Sequence, residues 1–570
     1  MDILHPGISK PDLIASTASI DLLRFYLAGS DRSLVFFVGA GASMAGNTGM
    51  PSTPTLLYQL FLDSMMYSRA YVNKPDDYKN ILRDVSYKLG FEITLNDFLQ
   101  ICPVATSGLY SAFAELEQQC LPNQVHTFLA HWLASRGVVI TTNYDRLIEQ
   151  EWAKLSPALE SRFENTGANS FEFWEDDLKN GACLFKIHGS LDDPASCLGA
   201  LEHVGTQLKG KRAELLTEIM HHHPICFVGW RGVDPDIPPL LHSALAGRDL
   251  SLPIFWIHYE GNPPGSQPVE KTLQTMSVFT KPLASPNPIL TDADRAFGEM
   301  LKWRGINRSP NPFTESLSFD FQKSVGQCTK TGVARMVGIA LRRGGKFGSA
   351  EQILNTSLSL ADTKEAHSAA LAELSLLHQQ IGGRKTDRAR KYVSRARKAL
   401  GDRPDPRLQL NTDFGLLSQT IVALKNQPWL LLRVPALFRQ YEQDIDFLRQ
   451  ETTDRESVAL HEALYFLYKG RLRFKVFGWV ANMIQPLAGW IRNPFDVARS
   501  TIKEAKDVHV HSHIDVLAYR AVALAHLHFC DDAREELTEI DRLVAILNDD
   551  ARTRHWLNQK MQIDHSCTKP

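Results

Sequence analysis

Five short apolar runs in the first half of the chain set the strongest limit on its fold. They are Leu34–Val38 (LVFFV), Val138–Thr141 (VVIT), Cys183–Ile187 (CLFKI), Ile225–Val228 (ICFV) and Ile254–His258 (IFWIH). Each is rich in Val, Ile, Phe or Trp, and none alternates polar with apolar. A strand with one wet face alternates at period two. A run that does not is buried on both faces, as in a parallel sheet covered by helices. Helical patterns lie between the runs, among them Val125–Ser135 and Pro235–Ala246. This alternation predicts an α/β fold, with an N-terminal doubly wound parallel sheet of Rossmann-like architecture over residues 1–306.

The second half reads differently. Asn307–Phe313 (NRSPNPF) is dense in turn formers and predicts a linker over 307–317, while Gly261–Pro268 reads as a surface loop. From 318 to 570 the strand signals stop. A pattern of Ala, an apolar residue four later and a small or apolar residue three after that recurs at helical spacing. It appears at Ala350/Leu354/Ser357, Ala389/Val393/Ala396, Ala498/Ile502/Ala505 and Ala533/Leu537/Ile540. The copies start 39, 109 and 35 residues apart, the middle gap being close to three repeats. Small residues there let two helices of a hairpin approach closely, and stacked hairpins bury a continuous core. The pattern resembles a degenerate tetratricopeptide-type array, best at Gly345, Phe347 and Ala350. It predicts an all-α, helical-repeat-like domain. An irregular helical domain is the alternative.

Composition narrows the classes. A chain of 570 residues, 44% apolar and 22% charged, has room for about two to four domains and is globular rather than disordered. Its 62 basic and 64 acidic residues give a net charge of -2, which speaks against a globally basic nucleic-acid binder. The basic run Arg384–Lys398 reads as a solvated helix face. The 8 cysteines contain no C-x-x-C pair, which excludes a zinc ribbon or thioredoxin-like motif. The opening MDILHPGISKPDLIAS lacks the basic start and apolar run of a signal peptide. A reducing, cytoplasmic setting is expected. Phe474–Ile491 is apolar but interrupted by Lys475, Asn482, Gln485 and Pro486. It falls short of the about 20 apolar residues of a membrane span. A buried helix pair broken at Pro486 is expected, with an interfacial or partner-binding patch as the alternative. His221, His222 and His223 are adjacent, so on a helix they diverge, and no metal is expected.

The chemistry gathers where the runs end, because ligands of open α/β sheets lie beyond the carboxyl ends of the strands. The first run passes into Gly39-Ala40-Gly41-Ala42-Ser43. Backbone N–H groups of such a turn, and the start of the helix after it, suit a phosphate. Met44 stands where the dinucleotide fingerprint wants a third Gly. The second run ends in Thr141-Thr142-Asn143-Tyr144-Asp145, the third in His188-Gly189-Ser190, and the fourth in Gly229 through Asp234-Pro235-Asp236. Singly, Asn143 reads equally as a helix cap, His188 as a structural histidine and Asp234 as a helix start. Four strand ends delivering Gly and polar residues to one rim read as one shared site.

In this order, Gly-Ala-Gly-x-Ser, Gly-Met-Pro-Ser (49–52), Thr-Asn-Tyr-Asp, Lys-x-His-Gly-Ser and Gly-x-x-x-x-Asp-Pro-Asp resemble the sirtuin-like NAD-binding superfamily. The chain looks most like its bacterial antiphage, defence-associated branch. The resemblance implies an NAD+ pocket in which Gly39, Ala40, Gly41 and Ser43 hold the pyrophosphate side. Asn143 and Asp145, with Thr142, would face the nicotinamide ribose. His188 would be the general base, with Gly189 and Ser190 beside it, and Gly229 and Asp234 would lie near the adenosine half. Two departures stand out. The protein deacylases of the family carry two C-x-x-C pairs, which this chain lacks. They also read Asp-Phe-Arg where this chain has Ser52-Thr53-Pro54.

The resemblance therefore implies NAD+ hydrolysis to nicotinamide and ADP-ribose, with no metal. The bond to ribose C1′ breaks with oxocarbenium character and the leaving group departs neutral, so no strong acid is required. Asn143 would orient ribose hydroxyls and water, His188 would take a proton, and Asp145 would fix the loop or bond ribose. A homo-oligomer is expected, with a phage-protein trigger, a partner ATPase or another defence subunit as candidate partners. Nucleic acid and a membrane span are not expected. A non-catalytic nucleotide-binding scaffold and a protein ADP-ribosyltransferase or deacylase are the rival readings.

Overall fold

A computed structural model describes residues 23–28, 34–70, 76–135, 137–155, 183–193, 210–230, 237, 252–258, 287–312, 319–381, 386–400, 406–424, 428–451, 455–481, 485–504, 510–547, 560 and 563. The expected helix Pro235–Ala246 (Ile237 apart), the loop Gly261–Pro268, Asp234, Ala505, residues 313–317, residues 384–385 and residues 482–484 lie outside the described residues. The chain divides into two compact units, residues 1–57 with 106–324, and residues 58–105 with 325–570.

The order begins β1 (Val35–Val38), α1 (Ala40–Met44), α2 (Thr53–Ser68), α3 (Asp76–Lys88), α4 (Phe91–Ile101), α5 (Thr106–Gln119) and α6 (Gln124–Ala134). It continues β2 (Val138–Thr141), α7 (Leu147–Leu155), β3 (Cys183–Lys186), α8 (Gly210–His222), β4 (Ile225–Val228), β5 (Ile254–His258), β6 (Asn287–Leu290), α9 (Ala293–Trp303) and α10 (Gln322–Val325). The helical remainder is α11 (Lys330–Arg343), α12 (Phe347–Ser359), α13 (Lys364–Ile381), α14 (Thr386–Leu400), α15 (Pro406–Ala423), α16 (Val434–Glu451), α17 (Arg455–Ala481), α18 (Gln485–Glu504), α19 (Val510–His526) and α20 (Cys530–Leu547).

All five apolar runs form strands, and every pairing is parallel, in the order β3-β2-β1-β4-β5-β6. Val35 stands opposite Val138 on one side and Ile225 on the other. Val35, Phe37, Ile140, Phe227 and Trp256 pack with Leu216, Ile219 and Met220 of α8 on one face. Phe36, Val38, Val139, Val228 and Phe255 pack with Phe128 and Leu129 of α6 and Phe297 of α9 on the other. Both faces are dry, which is why the runs do not alternate. The sixth strand was not foreseen. Pro288 interrupts it, and a strand containing Pro belongs at a sheet edge, where β6 pairs with β5.

The unit boundaries differ from the expected 1–306, 307–317 and 318–570. The described residues of 58–105 are largely helical and cluster with the C-terminal half. Residues 307–312 are anchored rather than free. Arg308 Nη1 lies 2.5 Å from Glu151 Oε2, its Nη2 donates to the Pro122 carbonyl at 2.6 Å, and Asn311 Nδ2 donates there at 3.0 Å. A buried carboxylate such as Glu151 needs a counter-charge, and this segment supplies it.

In the other unit, α3 and α4 are tied to α11 and α12. Arg343 pairs with Asp97, Lys346 with Asp84 at 2.6 Å, and Tyr78 Oη donates to Gln352 Oε1 at 3.0 Å. The later helices pack in consecutive pairs, α11 with α12 through α19 with α20. The recurring Ala triplets fall on the second helix of four pairs. Among the described members Ala350, Leu354, Ser357, Ala389, Val393, Ala396, Ala498, Ile502, Ala533, Leu537 and Ile540 are all buried. Ser375 Oγ donates to the Ala389 carbonyl at 2.8 Å, a contact that a side chain larger than Ala would crowd. The middle gap holds two long pairs rather than three repeats, because α15 to α18 have 18, 18, 27 and 20 residues. A 34-residue period cannot accommodate them. The apolar stretch from Phe474 divides between α17 and α18, with Pro486 in the first turn of α18, where its missing N–H costs nothing. Among the described residues no helix is long and apolar enough to cross a membrane.

Candidate active site

Strand order reverses between β1 and β4, which leaves a crevice at their carboxyl ends. The two ends approach so closely that glycine is obligatory. A Cβ on Gly39 would lie 2.7 Å from Trp230 Cα, and one on Gly41 would lie 2.7 Å from the Gly229 carbonyl oxygen. Gly229 has φ +62°, and a Cβ there would lie 2.1 Å from Ala42 N. Two of the amides expected to face a phosphate donate within the fold instead. Gly39 N–H donates to the Val228 carbonyl at 2.9 Å and Gly41 N–H to the Gly229 carbonyl at 2.8 Å. These amides join two strand ends, and α1 has only 5 residues. Within the turn, Ala40 is the exposed member.

Ser43, in the last turn of α1, is the hub of the site. Its hydroxyl donates to Asp145 Oδ2 at 2.8 Å and accepts from Asn143 Nδ2 at 2.9 Å. His126 Nε2 lies 3.2 Å away. The backbone N–H of Asn123 donates to His126 Nδ1 at 3.0 Å, so the neutral ring carries its proton on Nε2 and donates to Ser43. The hydroxyl then makes one donated and two accepted bonds, its full capacity. Ser43 stands between His126 and Asp145, whereas a nucleophilic triad places histidine in the middle. Ser43 is thus a positioning group. Burial pushes the His126 imidazole down to about 4.

The commitment of Ser43's proton to Asp145 fixes the Asn143 amide. Its NH2 must face Ser43, which leaves Oδ1 on the other side. That atom is buried and has no hydrogen-bond partner. The Asn143 backbone is held by Thr141 Oγ1, which accepts from Asn143 N–H at 3.0 Å, and Thr142 N–H donates to the Val38 carbonyl at 3.0 Å. Asp145 Oδ1 caps α7 by accepting from Leu147 N–H at 3.2 Å.

Lys186 of β3 secures the same loop from beneath. Its Nζ donates to the carbonyls of Asp145 at 2.5 Å and Tyr144 at 3.3 Å, and pairs with Glu149 Oε1 at 2.8 Å. Desolvation acts to lower the pKa of this buried ammonium, but the charges of Glu149 and Asp145 outweigh it and raise it. Glu117 accepts from Arg146 N–H. Burial, aided by the Asp145 charge and opposed by that hydrogen bond, raises its carboxyl to about 7.

His188 follows β3, is 4% exposed, and its ring centroid lies 6.1 Å from that of Tyr144. Gly189 takes φ +89° to turn the chain, Ser190 is bridged to Asp193, and Leu191 N–H donates to the Tyr144 carbonyl at 3.0 Å. The loops after β2 and β3 are therefore one connected piece. Hydrogen bonds join Ser43, Asn143 and Asp145, and Gly39, Gly41 and Gly229 meet at the β1–β4 junction. The placement of Asp234 is not described. His126, Asn123 and Glu117 were not singled out from the sequence, and Lys186 entered only as the first residue of Lys-x-His-Gly-Ser, without a role. A Lys inside a run buried on both faces was a readable signal, since such a residue must find partners. Asn123 with His126 three residues later has the spacing of a capping box, which the structure forms. Among the described residues no three metal-ligating side chains cluster.

Residues 137–280 match the family model of the SIR2-like domain. The match covers β2 to β5 and supports the sirtuin-like superfamily for this part of the chain. It contains Thr142, Asn143, Asp145, His188, Gly189, Ser190, Gly229 and Asp234, and begins after β1 and Ser43. No curated protein matches the chain.

Proposed function

We propose that the α/β unit is an NAD+ hydrolase that releases nicotinamide and ADP-ribose. The observation that carries this reading is the Asn143 amide. Its NH2 is locked on Ser43, and its buried Oδ1 is left as an oriented acceptor without a partner. A buried acceptor is costly unless a donor reaches it, and a ribose hydroxyl is such a donor. The SIR2-like match supports the choice of ligand, since domains of that family bind NAD+. When bound, NAD+ supplies a glycosidic bond whose leaving group departs neutral. Asn143 holds the ribose. His188, carried on the neighbouring loop, takes a proton from water or a ribose hydroxyl. Asp145 and Lys186 keep the Asn143 loop in place. Gly39, Gly41 and Gly229 bring the β1 and β4 ends together, and Ala40 faces the phosphates. The helical unit would hold the enzyme off until a phage signal or partner arrives, as expected of an abortive-infection effector that assembles into oligomers.

The test is nicotinamide release by the purified full chain, alongside Asn143→Ala and His188→Ala. Turnover by the wild type and its loss in both variants supports the assignment. Nicotinamide release with ADP-ribose retained on protein replaces hydrolysis by transfer. If no turnover occurs, calorimetry decides. NAD+ binding lost in Asn143→Ala keeps the pocket without the reaction, and absence of binding overturns both.

A further inference from the structure

Cys102 and Cys328 meet inside the helical unit. Cys102 closes α4, its N–H donating to the Phe98 carbonyl at 2.8 Å, and Cys328 directly precedes Thr329, the N-cap of α11. Cys102 Sγ lies against the first turn of α11, 3.5 Å from where a Cβ on Gly332 would stand, and its thiol interacts with that of Cys328. Their place in the chain is unusual. Cys102 lies just before Ala105, where the chain leaves this unit, and Cys328 just after Val325, where it returns. Tyr67 Oη pins the return by donating to the Cys328 carbonyl at 3.0 Å.

Two features favour a thiolate at Cys328. Cys328 stands one residue before the N-cap of the 14-residue α11, at the positive end of that helix. Cys102 donates to it, which lowers its pKa against the opposing effect of burial. The contrast with other cysteines is sharp. Burial pushes Cys120 up to about 12, and raises Cys226 as well.

We propose that Cys102 and Cys328 form a redox site that a small hydroperoxide converts to a disulfide. The Cys328 thiolate attacks a peroxide oxygen, the O–O bond breaks, and hydroxide leaves Cys328 as a sulfenic acid. The Cys102 sulfur then attacks the Cys328 sulfur, its proton joins the departing hydroxyl, and water is expelled. The thiols lose two electrons and the peroxide gains them. Cys102 is 3% and Cys328 6% exposed, so hydrogen peroxide fits where glutathione disulfide does not. The bond would close residues 103–327 into a covalent loop.

The experiment treats the full chain with hydrogen peroxide and maps peptides by mass spectrometry. A 102–328 disulfide is expected, with Cys328 reacting at least about ten-fold faster than Cys226, as its larger thiolate fraction requires. Cys102→Ser is expected to accumulate a dimedone-trapped sulfenic acid at Cys328 without a disulfide. If that variant fails to fold, the wild-type map and rates alone decide. A different pairing, or Cys328 no faster than Cys226, overturns the proposal. So does a mixed disulfide formed equally fast by glutathione disulfide.

Discussion

The hydroxyl of Ser43 donates to Asp145 Oδ2 at 2.8 Å, which couples the turn after β1 to the loop after β2. Two separate strand ends thereby share one proton position, and the orientation of Asn143 follows from it. Replacing Ser43 with Ala leaves Asn143 Nδ2, His126 Nε2 and Asp145 Oδ2 without this partner. A loss of about 1–3 kcal/mol is expected for an unsatisfied buried group, together with weaker NAD+ turnover. Urea unfolding read alongside nicotinamide release measures both. Unchanged stability would mean that water replaces the hydroxyl.

Lys186→Met keeps the bulk of the side chain and removes its charge. The Tyr144 and Asp145 carbonyls and Glu149 lose their common donor. Breaking a buried ion pair from one side costs about 3–5 kcal/mol, so a pronounced fall in the thermal midpoint is expected. Glu149→Gln in the same background should recover part of it. A midpoint within a degree or so of the wild type would sink the anchoring role.

Two buried groups beside the site act on stability with opposite signs. His126 lies at about 4 against an ordinary 6.5, so between those values the unfolded chain takes up a proton that the folded chain does not. Stability falls as pH drops through that window. Glu117 lies at about 7 against an ordinary 4.5, so the folded chain takes up its proton first and stability rises as pH drops from 7 to 4.5. In Glu117→Gln the second effect is removed. Denaturation followed from pH 7 to pH 5 should then fall more steeply than in the wild type. Parallel curves would show that Glu117 titrates as an ordinary carboxylate.

Gly229→Ala tests the junction of β1 and β4. Alanine at φ +62° is strained, and its Cβ would meet Ala42 N at 2.1 Å. A cost of about 1–3 kcal/mol is expected from the backbone conformation alone, and NAD+ affinity should drop because α1 must move. Gly305, with φ +76° and open space around it, is the control. Alanine at Gly305 should cost stability without affecting binding, and equal loss of binding in both variants would refute a local role for Gly229.

The parallel sheet was legible because doubly buried strands cannot alternate, and β6 escaped because Asn287 and Pro288 occupy half of it. The rim residues were legible through their strand ends. Their hub was only half visible, since His126 lies on a helix far from any strand end and joins Ser43 across the fold. The partners of the Gly39 and Gly41 amides were not legible for a related reason. A Gly-x-Gly turn serves a ligand phosphate or a neighbouring strand equally well, and only the position of the Gly229 carbonyl distinguishes them. The placement of residues 58–105 had a signal that went unread. The stretch between Val38 and Val138 is far longer than the dozen or so residues that a parallel crossover needs.

That excursion has a consequence for how the polypeptide is made. β1, a central strand of the sheet, leaves the ribosome before residues 58–105, yet its neighbours β2 and β4 follow only after them. The helices of the excursion must in turn wait for α11 and α12, which are translated after the whole sheet. Neither half can finish before the other has begun, so cutting the gene at the turn-rich segment near 307–317 should yield two incomplete products rather than two domains.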